Sequence, residues 1–178
     1  MKEMHECVVL VAGSSRGLGA VIASDLEGQG ATVLRHGSRD FDVGDFAAVR
    51  RGVEAIGPID ILINCASQLD TERVDDLPPE RWQAVLQSTL FGTFHLCQVV
   101  IPGMRRRGFG RVINFGCVGC DRVYHATHSV AYRIAASGNL SLTRAFAQLA
   151  FADGVTVNLI APGHMENTVG QPDVTKLP

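Results

Sequence analysis

The sequence lacks an excess of charge of either sign, its 16 Lys and Arg standing against 18 Asp and Glu for a formal net charge of -2 over 178 residues. A chain so balanced has no bulk attraction for phosphate backbones or anionic membrane surfaces, so neither nucleic acid nor membrane is expected as a partner. No apolar run reaches the ~18 residues of a membrane span, and no signal-peptide core with a cleavage site precedes the first apolar segment. Repeats, low-complexity tracts and interdomain linkers are also missing. The five cysteines, Cys7, Cys65, Cys97, Cys117 and Cys120, are odd in number and scattered, which suits reduced thiols in a cytoplasmic protein better than a disulfide scaffold. What is present, 46% hydrophobic and 19% charged residues, can build a sizeable core. One domain, residues 1–178, is expected.

Short apolar runs at 7–12, 31–34, 59–64, 111–115 and 155–160 read as strands. Segments of helical period at 18–29, 45–55, 80–105 and 130–151 alternate with them, the arrangement of parallel strands joined by covering helices. Residues 41–43 look like a further short strand, yet too few residues separate them from the second strand for a parallel crossover, which takes a dozen or more.

The first strand runs into Ala12-Gly13-Ser14-Ser15-Arg16-Gly17-Leu18-Gly19, with a helix directly behind. Glycines at such a turn permit positive φ and clear side chains from a helix N-terminus, where a pyrophosphate meets backbone N–H groups. A tight turn alone would explain the glycines; their place after the first strand favours the dinucleotide. The second strand ends Leu34-Arg35-His36-Gly37-Ser38-Arg39, without the acidic residue that holds the ribose hydroxyls of NAD. Arg16 with Arg35 or Arg39 can grip a 2'-phosphate, so NADP(H) is expected ahead of NAD(H), against the alternative of ordinary solvated arginines.

Taken together, these residues resemble the short-chain dehydrogenase/reductase family across nearly the whole chain. The glycine turn resembles the family's Thr-Gly-x-x-x-Gly-x-Gly with Ala12 in first place. Asp42-Val43 resembles its Asp-Val pair and Asn64-Cys65-Ala66-Ser67 its Asn-Asn-Ala-Gly. Gly110 to Asn114, Ala131-Tyr132 and Ala161-Pro162-Gly163 follow in family order. The resemblance implies a Rossmann-like, doubly wound, mainly parallel α/β sheet of about six strands with helices on both faces, shortened at the C-terminus by the last family strand. It implies cofactor contacts from Gly13, Ser15, Arg16, Gly17, Leu18, Gly19, Arg35, His36, Arg39, Asp42, Val43, Asn64, Ala66, Pro162 and Gly163. It also implies a homodimer or homotetramer through helices 80–105 and 130–151, and a small-molecule substrate.

Of the family's catalytic Asn, Ser, Tyr and Lys, only the Tyr is retained, as Tyr132. The Lys falls on Ala136, the Ser on Cys117 and the Asn on Thr89. Tyr132 and Cys117 are therefore the expected catalytic pair, Cys117 offering only a weak S–H donor. An unassisted phenol has a pKa of about 10, which hampers alcohol oxidation and leaves carbonyl reduction, where the phenol acts as acid, better served. Arg133 would point about 100° away from Tyr132 on an ideal helix. His125 and His128 lie before that helix, and Cys117-x-x-Cys120 suggests thiol redox chemistry or zinc; no metal is expected. The leading reading is an NADP(H)-dependent reductase of a carbonyl or 3-oxoacyl substrate. The rival is a degenerate NADP(H)-binding sensor or partner subunit.

Overall fold

The apolar runs form five strands: β1 (Val8–Ala12), β2 (Thr32–His36), β3 (Ile61–Asn64), β4 (Gly110–Phe115) and β5 (Val155–Ile160). The computed structural model describes residues 2–122 and 126–163. His125 and residues 164–178 therefore lie outside the described residues. All pairings are parallel, in the order β2-β1-β3-β4-β5. Sequence order reverses at β1, and a doubly wound sheet opens a crevice at such a reversal, beyond the C-terminal ends of the strands.

Helices α1 (Gly17–Gly28), α2 (Phe46–Ile56), α3 (Pro79–Leu86), α4 (Gly92–Arg107) and α5 (Val130–Ala150) connect the strands. Asp45 caps α2 by accepting from the N–H groups of Ala47 and Ala48, and Gly108, at φ 71, ends α4. Strand alternation divides the core in two. Leu10, Leu62, Val112 and Val157 pack against Val49 and Val53 of α2, Leu96, Val100 and Met104 of α4 and Ala150 of α5. Val9, Val11, Ile61 and Ile63 face the other way, against Ile22, Ala23 and Leu26 of α1. The run Pro79–Arg107 has the length and apolarity of a membrane span. Its buried Val85, Leu96, Val100 and Met104 nevertheless make it a covering helix of this sheet.

Among the described residues the sheet has five strands where about six were expected, since residues 41–43 are not a strand. After β2 the chain turns at once, with Gly37 N–H donating to the Asp40 carboxylate at 2.7 Å and Asp40 N–H to Gly37 O at 3.1 Å. It never returns to the N-terminal edge, as a parallel neighbour would require. Side chains take up the backbone groups instead. Asp42 accepts from Gly44 N–H at 2.8 Å, and the Val43 carbonyl lies 3.0 Å from His95 Nδ1.

Candidate active site

Gly13 and Ser14 donate their N–H groups to His36 O at 2.9 and 3.0 Å, pinning the glycine turn to the end of β2. Gly13 takes φ +83, and a Cβ there would stand 2.5 Å from Ala66 N; a Cβ on Gly19 would stand 2.3 Å from Gly13 O. Backbone thus closes on backbone at the crevice floor, and the first N–H groups of α1, which have no intrahelical partner, border the space above it. Cys65, beside this floor, has its thiol pushed up to about 12 by burial and so stays neutral next to any phosphate. Ser15, Arg16, Ser38 and Arg39 are exposed on one rim, where Gly37 approaches Ser15. Asp42 is exposed and Val43 buried at the adjoining corner, packed over Gly92.

Three of the residues expected to contact the cofactor have side chains engaged within the protein. Arg35 shares a face with Val33, and its guanidinium is held by Glu27 and Ser24 of α1, all at 2.8 Å. It does not reach the rim. His36, 3% exposed, lies under Phe41 with ring centroids 4.0 Å apart, and burial pushes its pKa down; it meets the glycine turn only through its carbonyl. The Asn64 side chain is turned into the sheet, where it donates to Asn114 Oδ1 at 2.7 Å. Asn114 in turn donates to Thr143 Oγ1, so these amides tie β3 and β4 to α5.

Tyr132 sits in the first turn of α5, half-buried, its hydroxyl donating a long 3.5 Å hydrogen bond to Gly116 O just past β4. Cys117 follows, half-buried, and Gly116 N–H donates to Ile160 O, which brings the end of β5 with Pro162 and Gly163 to the same edge. Burial above all, then Cys117 and Cys120, pushes the phenol above its ordinary range, opposed by Arg133. Burial likewise raises the Cys117 thiol, again opposed by Arg133. The Arg133 charge therefore bears on both groups. Ala136 is buried and carries no charge to assist. Thr89, in the π-helical turn Gln87–Phe91, accepts from Gln68 N–H through Oγ1 and from Asn139 Nδ2 through its carbonyl, a structural use of that position. His128 is exposed, with Nδ1 near Thr127 Oγ1 and its backbone bridged to Arg73. Among the described residues no three His, Cys, Asp or Glu side chains form a metal-ligating group.

Asp70 is the residue that sequence reasoning missed. Fully buried, it accepts from the N–H groups of Ala131 at 3.2 Å and Tyr132 at 2.9 Å, while Ser129 Oγ donates to its carbonyl at 2.8 Å. Ser129 itself is left-handed, at φ 57, and does not cap the helix. A carboxylate from the loop after β3 thus caps α5 and fixes the turn that carries Tyr132. Asp70→Ala is expected to lower stability by about 1–3 kcal/mol, because two buried donors lose their acceptor. Asp70→Asn, which keeps one carbonyl oxygen, should lose less. A thermal melt unchanged in both would remove Asp70 from this role.

The profile described as short chain dehydrogenase matches residues 38–176. An acetoacetyl-CoA reductase of Rhizobium meliloti is 33% identical over 179 residues, covering 89% of this chain and 73% of the relative. A 3-oxoacyl-(acyl-carrier-protein) reductase of Haemophilus influenzae is 29% identical, over 90% of this chain and 74% of its own. Among solved structures, a gluconate 5-dehydrogenase of Burkholderia cenocepacia, in complex with NADP and tartrate, superposes with a TM-score of 0.84 at 26% identity, over 93% of this chain and 74% of that one.

Proposed function

Because the chain belongs to the short-chain dehydrogenase family, we propose that it is a cytoplasmic NADP(H)-dependent oxidoreductase that reduces the carbonyl of a 3-oxoacyl type substrate, with Tyr132 as proton donor. The observation that carries this reading is the Tyr132 hydroxyl at the strand-end crevice, kept protonated by burial and by the neighbouring thiols. The crevice floor supports a dinucleotide, because Gly13 and Gly19 let backbone pack on backbone beneath it, where a Cβ would stand closer than 3.0 Å to backbone atoms, and a Cβ on Gly17 would enter open space. Gly13, Ser15, Gly17, Leu18, Gly19 and Ala66 would line it, with Asp42 and Val43 at its corner and Pro162 and Gly163 across from it. A nicotinamide cofactor held there would supply hydride to the substrate's carbonyl carbon. Tyr132 gives its proton to the carbonyl oxygen, Cys117 offers a weak S–H donor to the same oxygen, and Asp70 fixes the tyrosine's turn.

Arg16 and Arg39 share the exposed rim and are the groups for a 2'-phosphate. Loss of a charge-assisted contact typically weakens binding by about tenfold or more. Arg16→Ala and Arg39→Ala are therefore each expected to weaken NADPH binding by about that factor and to leave NADH binding unchanged. Fluorescence titration of both nucleotides checks this, and equal losses for both would place the arginines elsewhere. The buried Ala136 favours a second reading, a nucleotide-binding protein without turnover. NADPH affinity with no consumption on any carbonyl would select it. A homodimer or homotetramer through α4 and α5 is supported by the apolar groove of about 220 Å³ between them, lined by Phe94, Pro102, Phe146 and Leu149.

A further inference from the structure

The Cys117-x-x-Cys120 segment is not absorbed by the reductase reading. Cys120 N–H donates to Cys117 O at 3.0 Å and Gly119 takes φ +81, so the four residues close a tight turn. Such a turn holds its end α-carbons within about 7 Å. That overlaps the ~4.4–6.8 Å range a disulfide spans. The Cys120 sulfur folds back over the start of the turn, since it would lie 2.9 Å from a Cβ placed on Gly116. Gly116 carries the carbonyl that accepts the Tyr132 hydroxyl. Both thiols are free, Cys117 half-buried and Cys120 buried.

We propose that Cys117 and Cys120 form a reversible dithiol/disulfide pair that reacts with low-molecular-weight disulfides of the glutathione type and, when closed, withdraws Tyr132 from catalysis. The more exposed Cys117, as thiolate, attacks one sulfur of the incoming disulfide and expels the other as a thiolate, giving a mixed disulfide. Cys120 then loses its proton to solvent and attacks the Cys117 sulfur, expelling the second thiolate. The protein gives up two electrons and two protons, and the small disulfide is reduced to two thiols. The raised Cys117 thiol makes the exchange slow, because little thiolate is present. In a reducing cytoplasm the pair stays open until the glutathione pool is oxidised. Closing it removes the Cys117 S–H donor and re-forms the turn whose Gly116 carbonyl holds the Tyr132 hydroxyl. The linkage stands by itself; its effect on turnover rests on the reductase reading.

The test equilibrates native protein in buffers of reduced and oxidised glutathione, blocks free thiols by alkylation, and maps peptides by mass. The expected result is a peptide linking Cys117 to Cys120 that has lost two hydrogens, with NADPH-dependent turnover lost in the oxidised protein and recovered on adding reductant. Cys120→Ser should stop at a glutathione adduct on Cys117 without forming the linked peptide, and before oxidation its turnover should match that of the reduced wild type. Both cysteines alkylated after native oxidation, with the link formed only in denaturant, would overturn the pair. A linked pair in an enzyme of unchanged turnover would overturn its effect on Tyr132. A reduced protein with no turnover would instead count against the reductase reading, while the linked peptide still decides the dithiol.

Discussion

Tyr132→Phe is expected to lower NADPH-dependent reduction of a 3-oxoacyl thioester by about 10²–10⁴-fold, the usual contribution of a positioned general acid, while NADPH affinity stays at the wild-type value. The substitution deletes one oxygen from a side chain that is half-buried between the first turn of α5 and Gly116. The turn itself is held by Asp70 through the Tyr132 backbone N–H, which phenylalanine retains. Activity should therefore fall without loss of fold. The pH profile carries the same information. Burial, Cys117 and Cys120 all raise the phenol above its ordinary value, so the acid form persists through the neutral range. Reductive turnover should be level there and decline only above a pH of about 10, whereas alcohol oxidation, which needs the phenolate, should rise toward that pH. Unchanged turnover in the phenylalanine variant, or reduction falling already near neutrality, would assign the proton to another group.

Gly13→Ala should cost about 2–6 kcal/mol of stability and abolish NADPH binding in whatever fraction still folds. Two effects add at this position. The backbone φ of +83 is one that side-chain-bearing residues rarely adopt, and the new Cβ would meet Ala66 N at 2.5 Å and Ala66 Cα at 2.6 Å. Those are backbone atoms, so no rotamer change relieves the contact, and the loop after β3 must move away from the crevice floor. Domains of this kind have only about 5–15 kcal/mol to lose. Gly28→Ala provides the control, because no atom lies within 4 Å of its Cβ and its φ is ordinary. Its melting temperature and NADPH titration should match the wild type. A Gly13→Ala protein that melts and binds like the control would mean that the turn does not form the floor described.

The elements with an unmistakable period were legible in the sequence. All five apolar runs became strands at or within two residues of their expected bounds, and the glycine turn stands where the first of them ends. The failures have separate physical causes. Residues 41–43 carry strand-like side chains, but a four-residue turn after His36 leaves no route to a parallel ladder, and topology overrode propensity. The position of Arg35 is legible from parity, since alternation with Leu34 and His36 puts it on the α1 side, beside Glu27. Asn64 was read as a crevice residue, whereas Asn114, opposite it in the β3–β4 register, supplies its partner inside the sheet. Asp70 left no trace in the sequence, since a helix cap is sought directly before its helix and this one arrives from 61 residues upstream.

The departures at Ala136, Cys117 and Thr89 converge on one question, whether a half-buried tyrosine at the strand-end crevice is sufficient for reduction. The initial rate of NADPH consumption by the native protein with acetoacetyl-CoA and longer 3-oxoacyl thioesters, measured at neutral pH alongside NADH, answers it most directly. The account predicts saturable consumption that depends on the thioester and is faster with NADPH than with NADH. Saturable binding of NADPH with no consumption on any member of the series would contradict it.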